Sequence, residues 1–474
     1  MRSSFEKFGF IGSGILIGVL ISLNFSALAE KVVPSQLPID DLRVFAEVFG
    51  KVKSDYVEPV EDKKLINEAL TGMLSGLDPH STFMDADAYK DLQAGTQGEF
   101  GGLGIEVAME DGLVKVVTPI EDSPAYKAGL KSGDLIMKLD DTQVRGLTLN
   151  DAVKKMRGKP DTKIVLTVLR KGEPKPLTFN LTRAIIKTQS VKNKYIEKDY
   201  GYVRITQFQE HTGEDLAKTL KTLYDQNKGP FKGLVLDLRN NPGGLLDAAV
   251  GVSAAFLPKD DLVVYTEGRV ADSKMRLNAN PLDYARRGKG DYLKDLPADY
   301  KITPLVVLVN SGSASASEIV AGALQDHKRA TILGVKSFGK GSVQTILPMN
   351  NGSAIKLTTA RYFTPNGRSI QAKGIVPDII VDDGSDQSNN LHEADLAKHL
   401  SNPKDADANL PVEAKDPAKE AAAMDKLNEK KFAEQKGPIE PASADDIQFA
   451  QAMNVLKGLP VQKTPEIKPA EANK

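Results

Sequence analysis

Residues 304–327 read PLVVLVNSGSASASEIVAGALQDH. Pro304 to Asn310 form a short apolar run with turn residues at its ends, the pattern of a buried strand. The stretch from Ser317 to His327 reads as a helix. Ser313, Ser315 and Ser317 alternate with alanine on the turn between them. A helix N-terminus offers unpaired N–H groups and partial positive charge, so an oxyanion forming beside it is stabilised. The Ala316 N–H is one natural donor if Ser315 attacks. The same residues have a plainer reading: Ser315-Ala316-Ser317-Glu318 is a Ser-x-x-Glu capping box, in which Ser315 only accepts the Glu318 N–H.

A nucleophilic serine needs a proton acceptor. His327 is twelve positions along the same helix, roughly 18 Å away at the helical rise. His211, His392 and His399 fall in surface or tail segments, and His80 in LDPHS reads as a turn residue. Lysine remains. Lys340 sits between glycines in SFGKGSVQT, beside Phe338, Val343 and Ile346, with no carboxylate between Gly334 and Met349. A lysine at its ordinary pKa near 10.4 is useless as a base, but apolar burial without an anion lowers that value. Gln344, four positions on, can aim the amine through its amide oxygen without adding charge. Serine–lysine pairs are a known variant of the triad.

Outward from this stretch, strands and helices alternate between residues 187 and 382. YGYVRITQF, GLVLDLR, LVVYTEG, ATILGV and SAIKLTTARYF read as further strands; GEDLAKTLKTLYDQN and LLDAAVGVSAAFL read as helices. This is α/β organisation with a layered sheet. VLDLRNNPGG ends one strand in a glycine turn, which is either an ordinary chain reversal or the second oxyanion donor.

Residues 30–96 have a helical pattern, with Leu42, Phe45, Val48, Val52 and Tyr56 on one face and a second helix over KKLINEALTGMLSGL. This apolar pair packs within the chain or pairs two chains. Residues 97–186 read as strands with a short helix, TLNDAVKKMRG, capped by Thr148. SPAYKAGLKSGDLI makes this region resemble a PDZ domain, a mostly β fold, with Gly102-Leu103-Gly104-Ile105 at its carboxylate-binding loop. Glycines let successive N–H groups converge on a C-terminal carboxylate. The peptide would add beside Ile105-Glu106-Val107, its last side chain near Leu149 and Val153. The competing reading is a glycine turn that binds nothing.

GSASASEIVAGALQDHKRA followed by SFGKGSVQ, with 340 − 315 = 25 residues from serine to lysine, resembles the carboxyl-terminal processing peptidases, or tail-specific proteases. LDLRNNPGGLLDAAV and TPNGRSIQAKGIVPDI fit the same family. The resemblance implies Ser315 as nucleophile, Lys340 as general base, Gln344 as its orienting group and Gly244 as the second oxyanion donor.

The 474 residues suit several domains. A net charge of −1 suggests no nucleic-acid partner, and the absence of cysteine excludes thiol catalysis and disulfides. MRSSFEKFGFIGSGILIGVLISLNFSALAE has the charged, apolar and small-residue parts of a signal peptide. Cleavage is expected after Ala29, leaving residues 1–29 as the leader; an uncleaved anchor is the alternative. Both place the protein outside the cytoplasm, in the periplasm, and the anchor would associate it with the membrane. Residues 383–474 are polar and low in complexity, expected to be largely disordered apart from a helix at 443–458. There Ser443 and Asp446 form a capping box and Ile447, Ala450, Met453 and Leu456 a stripe. That helix docks on a partner, on a second copy or on its own domain.

The expected protein is thus an α/β multidomain serine endopeptidase of the Ser/Lys/Gln type. It recognises apolar C-termini through its PDZ domain and cleaves near them, with no metal or cofactor implied. Its partners are protein substrates with exposed C-termini. An adaptor is compatible with the sequence, and the apolar helices suit a homo-oligomer. The alternative is a catalytically inactive PDZ scaffold that binds tails.

Overall fold

The computed structural model describes residues 37–120, 122–286, 290–382, 391–404 and 440–462; the expected leader lies outside them. The chain divides at Glu68 into two compact units. In the first, helix Ile39–Asp55 buries none of its residues, so Leu42, Phe45, Val48 and Val52 remain an exposed apolar stripe. A second helix, Asp62–Ser75, stops before Gly76 as the sequence indicates.

The second unit contains the PDZ domain and the α/β core. Strands Ile105–Glu110, Leu113–Pro119, Leu135–Leu139, Lys163–Leu169 and Leu177–Thr182 pair antiparallel in that order. Helix Leu149–Met156 packs on them through Ala152 and Met156. Thr148 caps it, accepting the Asp151 N–H and donating its hydroxyl to the Asp151 carboxylate.

In the core, strands Val191–Glu197, Tyr200–Ile205, Gly233–Asp237, Leu305–Val309, Thr331–Gly334 and Ile379–Ile380 form one sheet in that order, parallel from Tyr200–Ile205 onward. Successive side chains of a strand point to opposite faces. Leu234, Leu236, Val307 and Val309 therefore pack against helices Thr212–Asn227, Leu246–Phe256 and Ala316–Asp326. Val235, Val306 and Leu308 pack on the other face, against helix Ile447–Lys457. An antiparallel sheet carries Leu262–Gly268 and Ala354–Phe363, with Ser342–Pro348 paired to the latter. The segment after Lys340 is a strand because Ala354–Phe363 offers it an edge.

Two corrections concern residues 383–474. The helix begins at Asp446, which accepts the Phe449 N–H, not at Ser443. Its buried face is Phe449, Ala452 and Met453, whereas Ile447 and Ala450 are exposed. Of the three expected dockings, the one present is on its own domain. Residues 391–404 also pack inward, with Glu393 and Asn402 buried. Polar side chains that bury through hydrogen bonds leave no apolar period to read.

Candidate active site

The three alternating serines differ in what holds them. Ser313 is fully buried and donates to Leu238 O at 2.8 Å while accepting the Asn310 N–H. Ser317 is fully buried and donates to Asn241 O at 2.9 Å. Ser315 is only part-buried and sits at the helix N-cap with φ 55° and ψ −113°. A non-glycine residue there is strained by about 1–3 kcal/mol and needs its surroundings to hold it. Such strand-to-helix elbows expose a nucleophile.

Glu318 does much of the holding. Its Oε2 accepts the Ser315 N–H at 2.7 Å and the Lys340 N–H at 3.0 Å. Its Oε1 accepts the Gly339 N–H at 2.7 Å and the Ser337 hydroxyl at 2.6 Å. Burial pushes its carboxyl up to about 7, against those four bonds. The capping box read from the sequence is present, and its carboxylate also ties the helix to the lysine turn.

Lys340 Nζ donates to Gln344 Oε1 at 2.5 Å and to Ser342 O at 3.4 Å. Burial, with the nearby Lys356 charge, lowers its pKa to about 8, although Glu393, Glu318 and Asp78 pull the other way. None of these carboxylates forms an ion pair with it among the described residues. The buried Tyr362 hydroxyl donates to Lys340 O.

The glycine turn after Gly233–Asp237 touches the same helix start. Gly243 has φ 98°, and a Cβ there would lie 2.8 Å from Ser315 Cβ and 2.9 Å from Ala316 N. Gly244 has φ 145°, and its Cβ would meet Phe208 O at 2.0 Å. Asn241 Oδ1 already takes the Gly243 N–H at 2.9 Å. Gly244, which the family resemblance implies as the second oxyanion donor, follows in the same turn, and Ala316 occupies the first helical position, whose N–H no helical carbonyl takes. Asn240 and Asn310 exchange two hydrogen bonds that lock turn to strand.

In the PDZ domain Gly104 has φ 75°, a conformation glycine adopts freely. Gly102 ends a strand paired to Ala184–Lys187, and Leu103 is a buried core residue. Ile105–Glu110 is an edge strand. Ile105, Leu149 and Val153 are part-buried around the same core, so the expected peptide-binding residues share one region.

Sequence reasoning missed the support beneath Lys340. His80 is the turn residue expected, but its Nε2 also contacts Glu393 Oε2 at 2.8 Å. Glu393 accepts from Gln371 at 2.8 Å, and Gln371 accepts the Gly341 N–H at 2.9 Å. Asp78 accepts from Thr358, which accepts from Gln344. The absence of carboxylates in the local sequence was a clue to a depressed lysine; nothing local pointed to acids arriving from residues 78 and 393.

Family models match three parts of the chain: peptidase family S41 over residues 199–381, a PDZ domain over 101–181 and the activating protease CtpB N-terminal domain over 23–88. A carboxy-terminal-processing protease of Bartonella bacilliformis is 48% identical over 402 residues, covering 82% of this chain and 88% of that one. The carboxy-terminal processing protease CtpB of Bacillus subtilis is 37% identical, covering 78% and 75%. Among solved structures, a photosystem II D1 C-terminal processing protease is 31% identical over 72% of this chain and 92% of that one, with a TM-score of 0.40. With 48% identity to the Bartonella bacilliformis protease across most of both chains, the chain belongs to the carboxy-terminal processing proteases of peptidase family S41.

Proposed function

We propose that the protein is an exported, periplasmic serine endopeptidase that captures an apolar protein C-terminus and cleaves near it. Its PDZ edge strand Ile105–Glu110 takes the tail as an added strand, with the carboxylate at Gly102–Ile105 and the last side chain against Leu149 and Val153. Ser315 Oγ attacks the scissile carbonyl carbon as its proton passes to neutral Lys340 Nζ. The oxyanion is held by the Ala316 and Gly244 N–H groups. The C–N bond then breaks and Lys340 returns the proton to the leaving amine. Water, deprotonated by the same amine, hydrolyses the Ser315 ester and frees the new C-terminus.

The observation that carries this reading is the environment of one amine. Lys340 Nζ is bonded to an uncharged amide, and its pKa is lowered to about 8. A fraction sufficient for catalysis is then neutral at physiological pH. The exposed stripe of helix Ile39–Asp55 supports a second copy as a partner.

The test is cleavage of an unfolded protein with an apolar C-terminus. Ser315→Ala and Lys340→Ala should each abolish turnover. Lys340→Arg should also be inactive, because a guanidinium keeps its proton. Turnover at the wild-type rate in any of the three overturns the mechanism.

A further inference from the structure

We propose that Asp78 is a positioning residue for this reaction: acting through Thr358, it dictates which end of the Gln344 amide faces Lys340. The inference rests on the Ser315, Lys340 and Gln344 roles given above.

The argument starts from what a neutral lysine must do. An amine with two hydrogens and one lone pair can donate twice and accept once. Its donors face Gln344 Oε1 and Ser342 O, so the lone pair stays available for the serine proton. A reversed Gln344 amide would aim N–H groups at that lone pair and occupy it. Its oxygen and nitrogen are nearly identical in shape, so packing alone cannot choose between the two orientations; the hydrogen-bond partners must.

Gln344 Nε2 has two such partners: Ser342 Oγ at 3.0 Å and Thr358 Oγ1 at 3.2 Å. Ser342 can serve either orientation, because a hydroxyl both donates and accepts. Thr358 cannot, because its single proton goes to Asp78 Oδ1 at 3.1 Å. Its oxygen is left as an acceptor, and only the amide N–H end satisfies it.

Asp78 is suited to this task because it is held as an acceptor. Besides Thr358 it accepts the His80 N–H at 2.8 Å, the Ser81 N–H at 2.9 Å and the Ser81 hydroxyl at 2.7 Å. It is 4% exposed. Burial works to raise its carboxyl pKa, but the bonds from Ser81, His80 and Thr358 outweigh it and keep the group below the usual range. The sheet cooperates. A register shift between Val343 and Gln344 sets Gln344 directly opposite Thr358, and bulges of this kind re-aim side chains. The turn carrying Asp78 is itself fixed by His80 to Glu393. Asp78 lies within the matched N-terminal domain and before the peptidase match, so a segment outside the peptidase core sets the polarity of its base.

The test uses full-length protein and an unfolded reporter with an apolar tail. Thr358→Val removes the acceptor without changing charge, and Thr358→Ser restores it. Thr358→Val should lower kcat by about tenfold, a share of what a general base contributes, with KM unchanged. That pattern marks an interaction made in the transition state. Its acid limb in the pH–rate profile should also move to lower pH, since a donor aimed at Nζ disfavours the ammonium. Thr358→Ser should regain most of the rate and the wild-type limb, and Asp78→Asn should behave like Thr358→Val. Should Asp78→Asn fail to fold, the two Thr358 variants carry the test alone. Wild-type kcat in Thr358→Val, or a lower kcat with an unmoved limb, overturns the inference. Lys340→Ala separates the two proposals: if it is active the base assignment fails, and if it is dead while Thr358→Val is normal only the role of Asp78 fails.

Discussion

The backbones of Ser315 and Lys340 hang from a single atom, Oε2 of Glu318, at 2.7 and 3.0 Å. A residue that a capping motif explains locally thus also fixes the distance between helix and lysine turn. All four groups facing this carboxylate are donors, so an amide in its place would set N–H against N–H. Glu318→Gln should lower kcat by about 10²-fold, within the range of base-dependent effects, and cost about 1–3 kcal/mol of stability for the unsatisfied buried groups. Turnover kinetics and urea unfolding read the two.

The lysine predicts its own pH dependence. Activity should rise through an acid limb near the Lys340 pKa of about 8, because only the neutral amine accepts a proton. Stability gives a second readout with a fixed sign. Between about 8 and the ordinary 10.5 the unfolded chain holds a proton that the folded chain has released, so wild-type stability rises with pH there. Lys340→Met should therefore exceed wild type in stability most clearly below pH 8, with the gap closing toward 10.5. Thermal unfolding across pH checks this.

At the glycine turn, Gly244→Ala should be damaging. Its Cβ would lie 2.0 Å from Phe208 O at φ 145°, so the turn must move and its N–H with it. Loss of one oxyanion donor costs about 10²–10³ in kcat. Single-turnover rates at saturating substrate would show it, with binding of an uncleaved tail peptide unchanged.

Arg239 bridges Asp237 and Asp446, each at 2.7 Å, all three largely buried. Asp446→Ala leaves Arg239 to Asp237 and Gln448 and should destabilise the protein by about 1–3 kcal/mol for the buried N–H groups that lose their acceptor. Because Arg239 adjoins the Asn240–Gly244 turn, kcat should fall as well. Denaturant unfolding and kinetics on one preparation test both.

In the PDZ domain, Leu149→Asp or Val153→Asp should weaken binding of an apolar C-terminal peptide. Both residues are part-buried against the core that Ile105 and Val107 of the edge strand also join, and a carboxylate there would repel the incoming one. Fluorescence anisotropy with an amidated peptide as control would distinguish carboxylate capture from general stickiness.

What the sequence made legible follows from locality. Alternating elements announced the α/β core, because periodicity is written in neighbouring residues. Ser315, Lys340 and Gln344 stand out as candidates because each sits in a motif whose chemistry is local. Asp78 and Glu393 do not: the partners that tie them to the site, Thr358 and His80, are far away in the chain, and nothing in the neighbouring residues announces that contact. Helix Ile447–Lys457 was visible, and Met453 and Leu456 of its expected stripe pack inward, but the cap at Asp446 and the contact of Phe449 with Tyr202 turn Ile447 and Ala450 outward.

The packing of residues 391–404 has a consequence for how the enzyme comes into being. A chain synthesised only as far as Asp382 already contains the proposed nucleophile, amine and oxyanion amides, yet it lacks Glu393 beneath Phe338 and His80 and the Asp446 clasp on Arg239. Chemistry encoded early in translation is aimed by residues delivered later, so an emerging or truncated polypeptide is expected to stay idle until helix Ile447–Lys457 docks.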